Sequence, residues 1–407
     1  MPWKETDIMK ERIKFVLEWE RQWSQQEGNV NLAALCRVFE ISRETGYYWL
    51  RRYRDADHSV EAVEGRSKRP LTSPTKVSPE IEDLVIRARK KFPNWGPRKL
   101  HRWLSERKPE LSLPAVSTIG NVLKRHGLSR RRKRRDRSAP PRTQPFASCD
   151  RPNALWCVDF KGHFRTTDGD RIYPLTITDA CTRFLIRCEG MRQPRGPEVQ
   201  AVFESAFEEY GVPEVIRSDN GPPFASTGAG GLTDLSVWWI KHGIRLERID
   251  PGKPQQNGRH ERMHLTLKQE TAMPPRSSFI TQQRAFDHFR QIFNHERPHE
   301  ALGMETPASL YEASERKLVY VSRLKPSHDA EARLVDGVGR IKWGRNKVFI
   351  SRALRSEYVE LHPAGLRLWE LRYGSVVLGM LDDSRLSRGL IRPKKQKRRR
   401  PSGSKPI

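Results

Sequence analysis

Apolar positions along the chain predict helices first. Leu32, Leu35, Cys36 and Phe39 recur at helical spacing, Ile41 plugs a short turn, and Ser42 stands where it would cap a following helix, "RETGYYWLRRY". With a further helical pattern before them, residues 1–60 read as a helix-turn-helix unit whose second helix carries Arg43, Arg51 and Arg52. The prolines of "KRPLTSPTK" mark a linker, after which the patterning repeats over 76–128. Ser78 and Pro79 supply an N-cap and an N1 proline, and Ile81, Leu84, Val85 and Ala88 form a stripe. "RKLHRWLSE" follows, and then Ser117 is expected to cap "TIGNVLKRH", which carries Lys124 and closes at Gly127.

From about residue 153 the pattern turns to mixed α/β. "LWCVDFKGHF", "RIYPLTITDA" and "FLIRCEGM" read as three strands of an antiparallel meander. Val199, Val202, Phe203, Ala206, Phe207 and Tyr210 trace a helix, and "PEVIRS" is a fourth strand. A helix around "LTDLSVWWIKHG", a short strand "IRLERI" and a helix from Gly258 to Glu270 complete an order that matches a ribonuclease-H-like sheet over 150–312. Short β-rich runs cut by glycines then predict a small five-stranded barrel over 330–385 that binds DNA. The fold expected is multidomain: two all-α units, a central α/β mixed sheet and a small β-barrel.

Charge narrows the partners. The chain has 407 residues, enough for two to four domains, and its 76 Lys and Arg against 49 Asp and Glu give a net charge of +27. Such a surplus points to a polyanion, because each phosphate neutralised releases condensed counterions. The stretch 129–149, with Arg131 and Arg132, is too charged and proline-rich to fold alone and reads as a tether lying on phosphates; 390–407 reads as a disordered cationic tail. No run of 18 apolar residues occurs and the opening stretch lacks the apolar core of a signal peptide, so a cytoplasmic, nucleoid-associated protein is expected, with no membrane and no small-molecule substrate. Five cysteines without a Cys-x-x-Cys pair argue against a disulfide framework or a zinc ribbon.

Three carboxylates then stand out. Asp159 interrupts an apolar run, where it needs compensation by a bound cation, a neighbouring Arg or a strand end open to solvent. Asp219, in "RSDNGPPF", follows the next strand and sits in turn chemistry of its own. Glu261 lies on a helix with His264 on the same face and Lys268 about 20° round from it. "LWCVDFKG", "VIRSDNGPPF", "QQNGRHERMHLTLK" and "FNHERPHEALGMETPASLY" resemble, in order, the blocks of an insertion-sequence transposase of the DDE type with a retroviral-integrase-like core. The resemblance implies that Asp159, Asp219 and Glu261 bind two Mg²⁺ or Mn²⁺ ions per active site. It further implies that Lys268 contacts donor DNA phosphate, that Asn220, Asn257 and His264 shape the DNA site, and that 3′-end cleavage and strand transfer take place in a homo-oligomer on element ends and target DNA. The spacing of Asp219 and Glu261, with 41 residues between them, exceeds that of retroviral integrases, with extra length around "STGAGGLTD".

Two alternatives share these residues. His260, Glu261 and His264 spell H-E-x-x-H, a zinc metalloprotease pattern, with a distant acid such as Glu296 as the third ligand. Tandem readers with an inert integrase-like core would instead make a DNA-binding regulator. "NHERPHEAL" places Asn294, Arg297 and His299 after a helix, where the resemblance implies a supporting role near the core.

Overall fold

A computed structural model describes residues 7–25, 28–65, 77–129, 149–249, 258–328 and 330–391, which fall in two units, Met1–Lys76 and Val77–Ile407. The expectations for Arg131, Arg132, Asn257 and most of the basic tail lie outside the described residues.

In the first unit α1 (Ile8–Gln25), α2 (Leu32–Val38) and α3 (Arg43–Arg54) enclose Phe15, Val16, Trp19, Leu35, Cys36, Trp49, Leu50 and Tyr53. Asn31 caps α2 through the Ala34 amide, and Ser42 caps α3 through that of Thr45, each filling an otherwise orphaned donor. The turn is tight because residue 46 is glycine: a Cβ there would overlap the Cys36 Sγ on α2.

The second unit opens with α4 (Pro79–Lys91), α5 (Pro97–Arg107) and α6 (Val116–Arg125), closed around Trp95, Leu100, Leu104, Ile119 and Val122. Ser78 caps α4 as expected, and Gly127 takes φ +68° just past α6. Ser117 is not a cap: Ala115 holds that position with no side-chain bond, and Ser117 lies one residue inside the helix.

The α/β domain runs β1 (Trp156–Phe160), β2 (Phe164–Arg165), β3 (Arg171–Asp179), β4 (Leu185–Met191), α7 (Gly196–Tyr210), β5 (Val215–Ser218), α8 (Asp234–Lys241), β6 (Arg245–Arg248), α9 (Gly258–Thr271), α10 (Phe279–His295) and α11 (Pro307–Leu310). β4 pairs with β3 and β3 with β1 in antiparallel fashion, whereas β1–β5 and β5–β6 are parallel; β2 adds a short pairing at the start of β3. Alternation sorts the side chains between two faces. Trp156, Val158, Leu175 and Ile177 meet Val199, Phe203 and Phe207 of α7 and Trp239 of α8. On the other face Leu185 and Cys188 meet Met263 and Leu267 of α9 and Phe286, Phe289 and Phe293 of α10. Asp159 and Thr176, out of step with Val158 and Leu175, therefore belong to the α9 side.

The C-terminal strands do not close into the expected barrel. β7 (Glu331–Leu334), β10 (Tyr358–Gly365), β11 (Leu368–Tyr373) and β12 (Val376–Asp382) form an antiparallel sheet ordered β12–β11–β10–β7, while β8 (Arg340–Trp343) and β9 (Asn346–Phe349) pair only with each other. There are six strands rather than the five expected, and short alternating runs carry nothing that fixes either their number or closure. Their core includes Ala229, Leu232, Val237 and Ile240 of the α/β domain, so the extra length between Asp219 and Glu261 becomes a seat for this module. Arg248 donates to the Gly230 and Gly231 carbonyls at 3.2 and 2.8 Å, bracing that seat.

Glu357, 6% exposed, ties the module to α8: it pairs with Lys241 at 3.0 Å and accepts from the Tyr373 hydroxyl at 3.0 Å and the Leu324 amide at 3.3 Å. Glu357→Ala leaves Lys241 with the Ser322 carbonyl at 2.6 Å and strips the buried Tyr373 hydroxyl of its acceptor, and is expected to cost about 1–3 kcal/mol in chemical denaturation.

Candidate active site

Parallel pairing of β1 with β5 brings the C-terminal ends of the two strands side by side, with Trp156 opposite Ile216 and Cys157 opposite Arg217. Asp159 lies two residues beyond the last of these pairs on β1, and Asp219 directly follows β5. The Asp219 carboxylate accepts from the Gly221 amide at 3.1 Å, so the turn chemistry does hold it. Burial first, then the charge of Asp219 and more weakly that of Glu261, push the Asp159 carboxyl up to about 7; the Phe160 amide and the Lys161 charge pull the other way.

Another strand carboxylate shows what a purely structural acid looks like here. Asp179, at the end of β3 and 1% exposed, accepts from the Asn153 amide at 2.9 Å and from the Thr182 amide and hydroxyl, both at 2.7 Å. Burial pushes its carboxyl up as well, but its lone pairs are taken by protein donors and no neighbouring acid among the described residues adds to the push. Asp159 instead faces two like charges, an arrangement that a cation relieves. Oxygen donors of this kind fit a hard divalent ion. Among the described residues, however, no three His, Cys, Asp or Glu side chains stand within joint ligating reach of one point. Glu261, in the first turn of α9, is exposed.

The two histidines flanking Glu261 are turned inward. His260 and His264 are 2% and 4% exposed, their rings meet edge to face at 4.6 Å, and burial drives them down to about 3 and about 2, so both are neutral. Their Nε2 atoms lie 2.6 and 2.7 Å from the same Thr176 Oγ1. His264 Nδ1 lies 3.9 Å from Asp159 Oδ2. His264 thus supports the site from within and, where it stands, does not present itself to DNA. The same contacts weaken the zinc-protease alternative, since both rings spend Nε2 on a threonine. Glu296, its nominated third ligand, is engaged elsewhere by the Trp103 indole at 3.3 Å and Arg107 at 3.0 Å.

The remaining candidates divide into those open to solvent and those engaged within the protein. Lys268 is exposed on α9. Asn220 braces the β5 turn, donating to the Ile249 carbonyl at 2.5 Å. On α3, Arg43 and Arg51 are exposed in line with Tyr47, which is 62% exposed and was not singled out from sequence. Arg52 is engaged inward: it donates to the Glu64 carbonyl at 3.1 Å and lies 5.0 Å over the Trp49 ring. On α6, Lys124 shares an exposed face with Ser117 and Asn121, while α5 is occupied by docking, Arg102 pairing with Glu305 at 2.8 Å. The "NHERPHEAL" residues hold the core together: Asn294 exchanges hydrogen bonds with the Leu185 backbone at 2.8 and 3.0 Å, and Arg297 pairs with Glu270 of α9 at 2.8 Å.

The raised Asp159 carboxyl has a stability consequence. Between the ordinary Asp range and about 7 the folded state holds a proton that the unfolded chain has lost, so stability falls as pH rises through that window. Asp159→Asn is expected to raise the Tm of the chelator-treated protein at pH 8 by more than at pH 5, as read by differential scanning fluorimetry; equal shifts would contradict the electrostatic account.

Integrase core domains and insertion-element proteins are similar to this chain. Two integrase core domain models match residues 150–254 and 242–307, and a homeodomain-like domain model matches residues 45–123. The insertion element IS407 uncharacterized 31.7 kDa protein of Burkholderia multivorans is 26% identical over 287 residues, spanning 70% of this chain and 91% of that protein. The insertion element IS476 uncharacterized 39.2 kDa protein of Xanthomonas euvesicatoria is 25% identical, over 58% of this chain and 65% of that protein. Among solved structures, a simian T-cell lymphotropic virus intasome in complex with a PP2A regulatory subunit overlaps 65% of this chain and 90% of its own, at 17% identity and a TM-score of 0.37, too low to carry an argument about assembly. Residues 150–307 thus match an integrase core and residues 45–123 a homeodomain-like domain, and the chain as a whole is similar to insertion-element proteins.

Proposed function

We propose that the protein cuts the 3′ ends of an insertion element and joins them to target DNA, with Asp159, Asp219 and Glu261 holding one or two divalent ions. The observation that carries this reading is the placement of Asp159 beside Asp219 at the ends of paired strands, where burial and then the two other acids push its carboxyl up, whereas at Asp179 burial is opposed by protein donors. A magnesium or manganese ion bound there supplies charge to activate the attacking oxygen and to stabilise the leaving one. In the first step a water oxygen attacks the phosphorus at the element end; the bond to the 3′ oxygen breaks, leaving a 3′-hydroxyl on the element and a 5′-phosphate on the flank. In the second, that hydroxyl attacks a target phosphodiester and displaces a target 3′-hydroxyl, so the number of phosphodiester bonds is conserved.

The chain's own part is placement. Lys268 lies two turns beyond Glu261 on α9, where its ammonium would hold a donor-strand phosphate. The exposed Arg43, Tyr47 and Arg51 face of α3 and the Ser117, Asn121 and Lys124 face of α6 are the surfaces for reading element ends. On the β8–β9 hairpin Lys342 stands directly opposite Lys347 and Arg340 opposite the half-exposed Phe349, a costly like-charge pairing that suits contact with DNA phosphates. Domain roles follow: readers over 1–60 and 76–128, catalysis over 150–312, and a further DNA contact over 330–385. Joining two ends calls for more than one protomer on DNA.

Incubation with element-end duplexes and Mg²⁺, followed by mapping of 3′-hydroxyl products, tests the reading. Asp219→Asn and Glu261→Gln are expected to keep end binding and to lose cleavage and joining by about 100-fold or more. A wild-type protein that binds ends and never cuts them would support the inert-core regulator instead. In binding assays Arg43→Ala and Arg51→Ala should weaken end affinity, with a salt slope shallower by about 1 for each phosphate no longer neutralised. Arg52→Ala should mainly lower Tm.

A further inference from the structure

Thr176 lies outside the acidic trio, yet it joins the elements that carry two of its members. It stands opposite Asp159 in the β1–β3 ladder, is 0% exposed and faces α9. Its Oγ1 lies 3.2 Å from the Asp159 carbonyl oxygen, 2.6 Å from His260 Nε2 and 2.7 Å from His264 Nε2. A hydroxyl has one proton and two lone pairs. Donation to the Asp159 carbonyl leaves both lone pairs for two neutral imidazoles, each protonated on Nε2. That tautomer also frees His260 Nδ1 to accept from the Thr178 hydroxyl, 3.0 Å away, and turns the lone pair of His264 Nδ1 towards the Asp159 carboxyl. One assignment of protons therefore satisfies Thr176, His260 and the Nε2 of His264 together.

His260 and His264 are one turn apart on α9, and Glu261 lies between them in sequence. Two contacts one turn apart, converging on a single atom, fix both the rotation of a helix and its position along its axis. We propose that Thr176 is a positioning residue of the acidic site, its hydroxyl holding the Glu261 turn of α9 in register with the Asp159 backbone and so setting the approach of the two acids. This rests on the reading of Asp159 and Glu261 as metal ligands. Ordinary core packing would make a weaker demand, since a valine of the same shape would fill the space and leave three polar groups without their common partner.

The test is Mn²⁺ binding to the full chain, followed by electron paramagnetic resonance without DNA or turnover, with thermal unfolding in parallel. Thr176→Val is expected to weaken Mn²⁺ binding about tenfold, the scale of losing a group that orients metal ligands, and Thr176→Ser to restore it to within about twofold. If Thr176→Val does not fold, His264→Gln disrupts the junction from the helix side and carries the same expectation. Wild-type Mn²⁺ affinity in a folded Thr176→Val or His264→Gln protein would overturn the positioning role, as would a serine variant as weak as the valine one. Mn²⁺ binding that survives both Asp159→Asn and Glu261→Gln would instead overturn the metal-site reading, and the positioning role with it.

Discussion

Burial of a carboxylate beside like charges at the ends of two parallel strands is the constraint around which this region is built. Asp159 and Asp219 are carried by neighbouring strands and Glu261 by a helix laid over the same face; burial first, then the charge of Asp219 and more weakly that of Glu261, push the Asp159 carboxyl up. Such a group destabilises a fold unless the surroundings fix it. Here the surroundings do so by several routes: α9 is seated on β3 through Thr176, Arg297 holds the far end of α9 through Glu270, and Asn294 completes the edge of β4 as a strand backbone would. Asp179, a few residues along the same sheet, meets the same demand with its own donors and is left no capacity for an ion.

What the sequence disclosed and what it hid follow the range of the interactions concerned. Caps at Asn31 and Ser42, the N1 proline of α4 and the glycine after α6 are local, and the helical units could be read from them. Ser117 was misleading because serine caps and serine in the first turn look alike when a proline precedes both by a few residues. The strand order was legible from alternation and length, but closure of the C-terminal strands was not, since it depends on which edges meet. The acids were legible as types at ordered positions. Thr176 was not, because its partners are 84 and 88 residues away and nothing in "PLTITD" marks one threonine as a junction. The engagement of Arg52 was hidden for a similar reason: its acceptor, the Glu64 carbonyl, lies in a following turn.

Docking between parts of the second unit uses charge at its edges and apolar contact at its centre. Ile292 of α10 reaches the core of the second helical unit, while Lys91, Trp103 and Arg107 gather on Glu296. This leaves the outer face of α6 clear. A carboxylate with three such neighbours orients α5 more than it binds it, since partly exposed ion pairs contribute little individually.

The loop between the second and third acids has an owner other than chemistry. Because Ala229 and Leu232 are part of the C-terminal module's own core, and Gly230 approaches Val376 and Leu378 closely, the distance along the chain between Asp219 and Glu261 is dictated by what must be carried there. Spacing between such acids, commonly treated as a family's fingerprint, is in this chain a measure of cargo, and a shorter loop would strand the module before it altered the reaction.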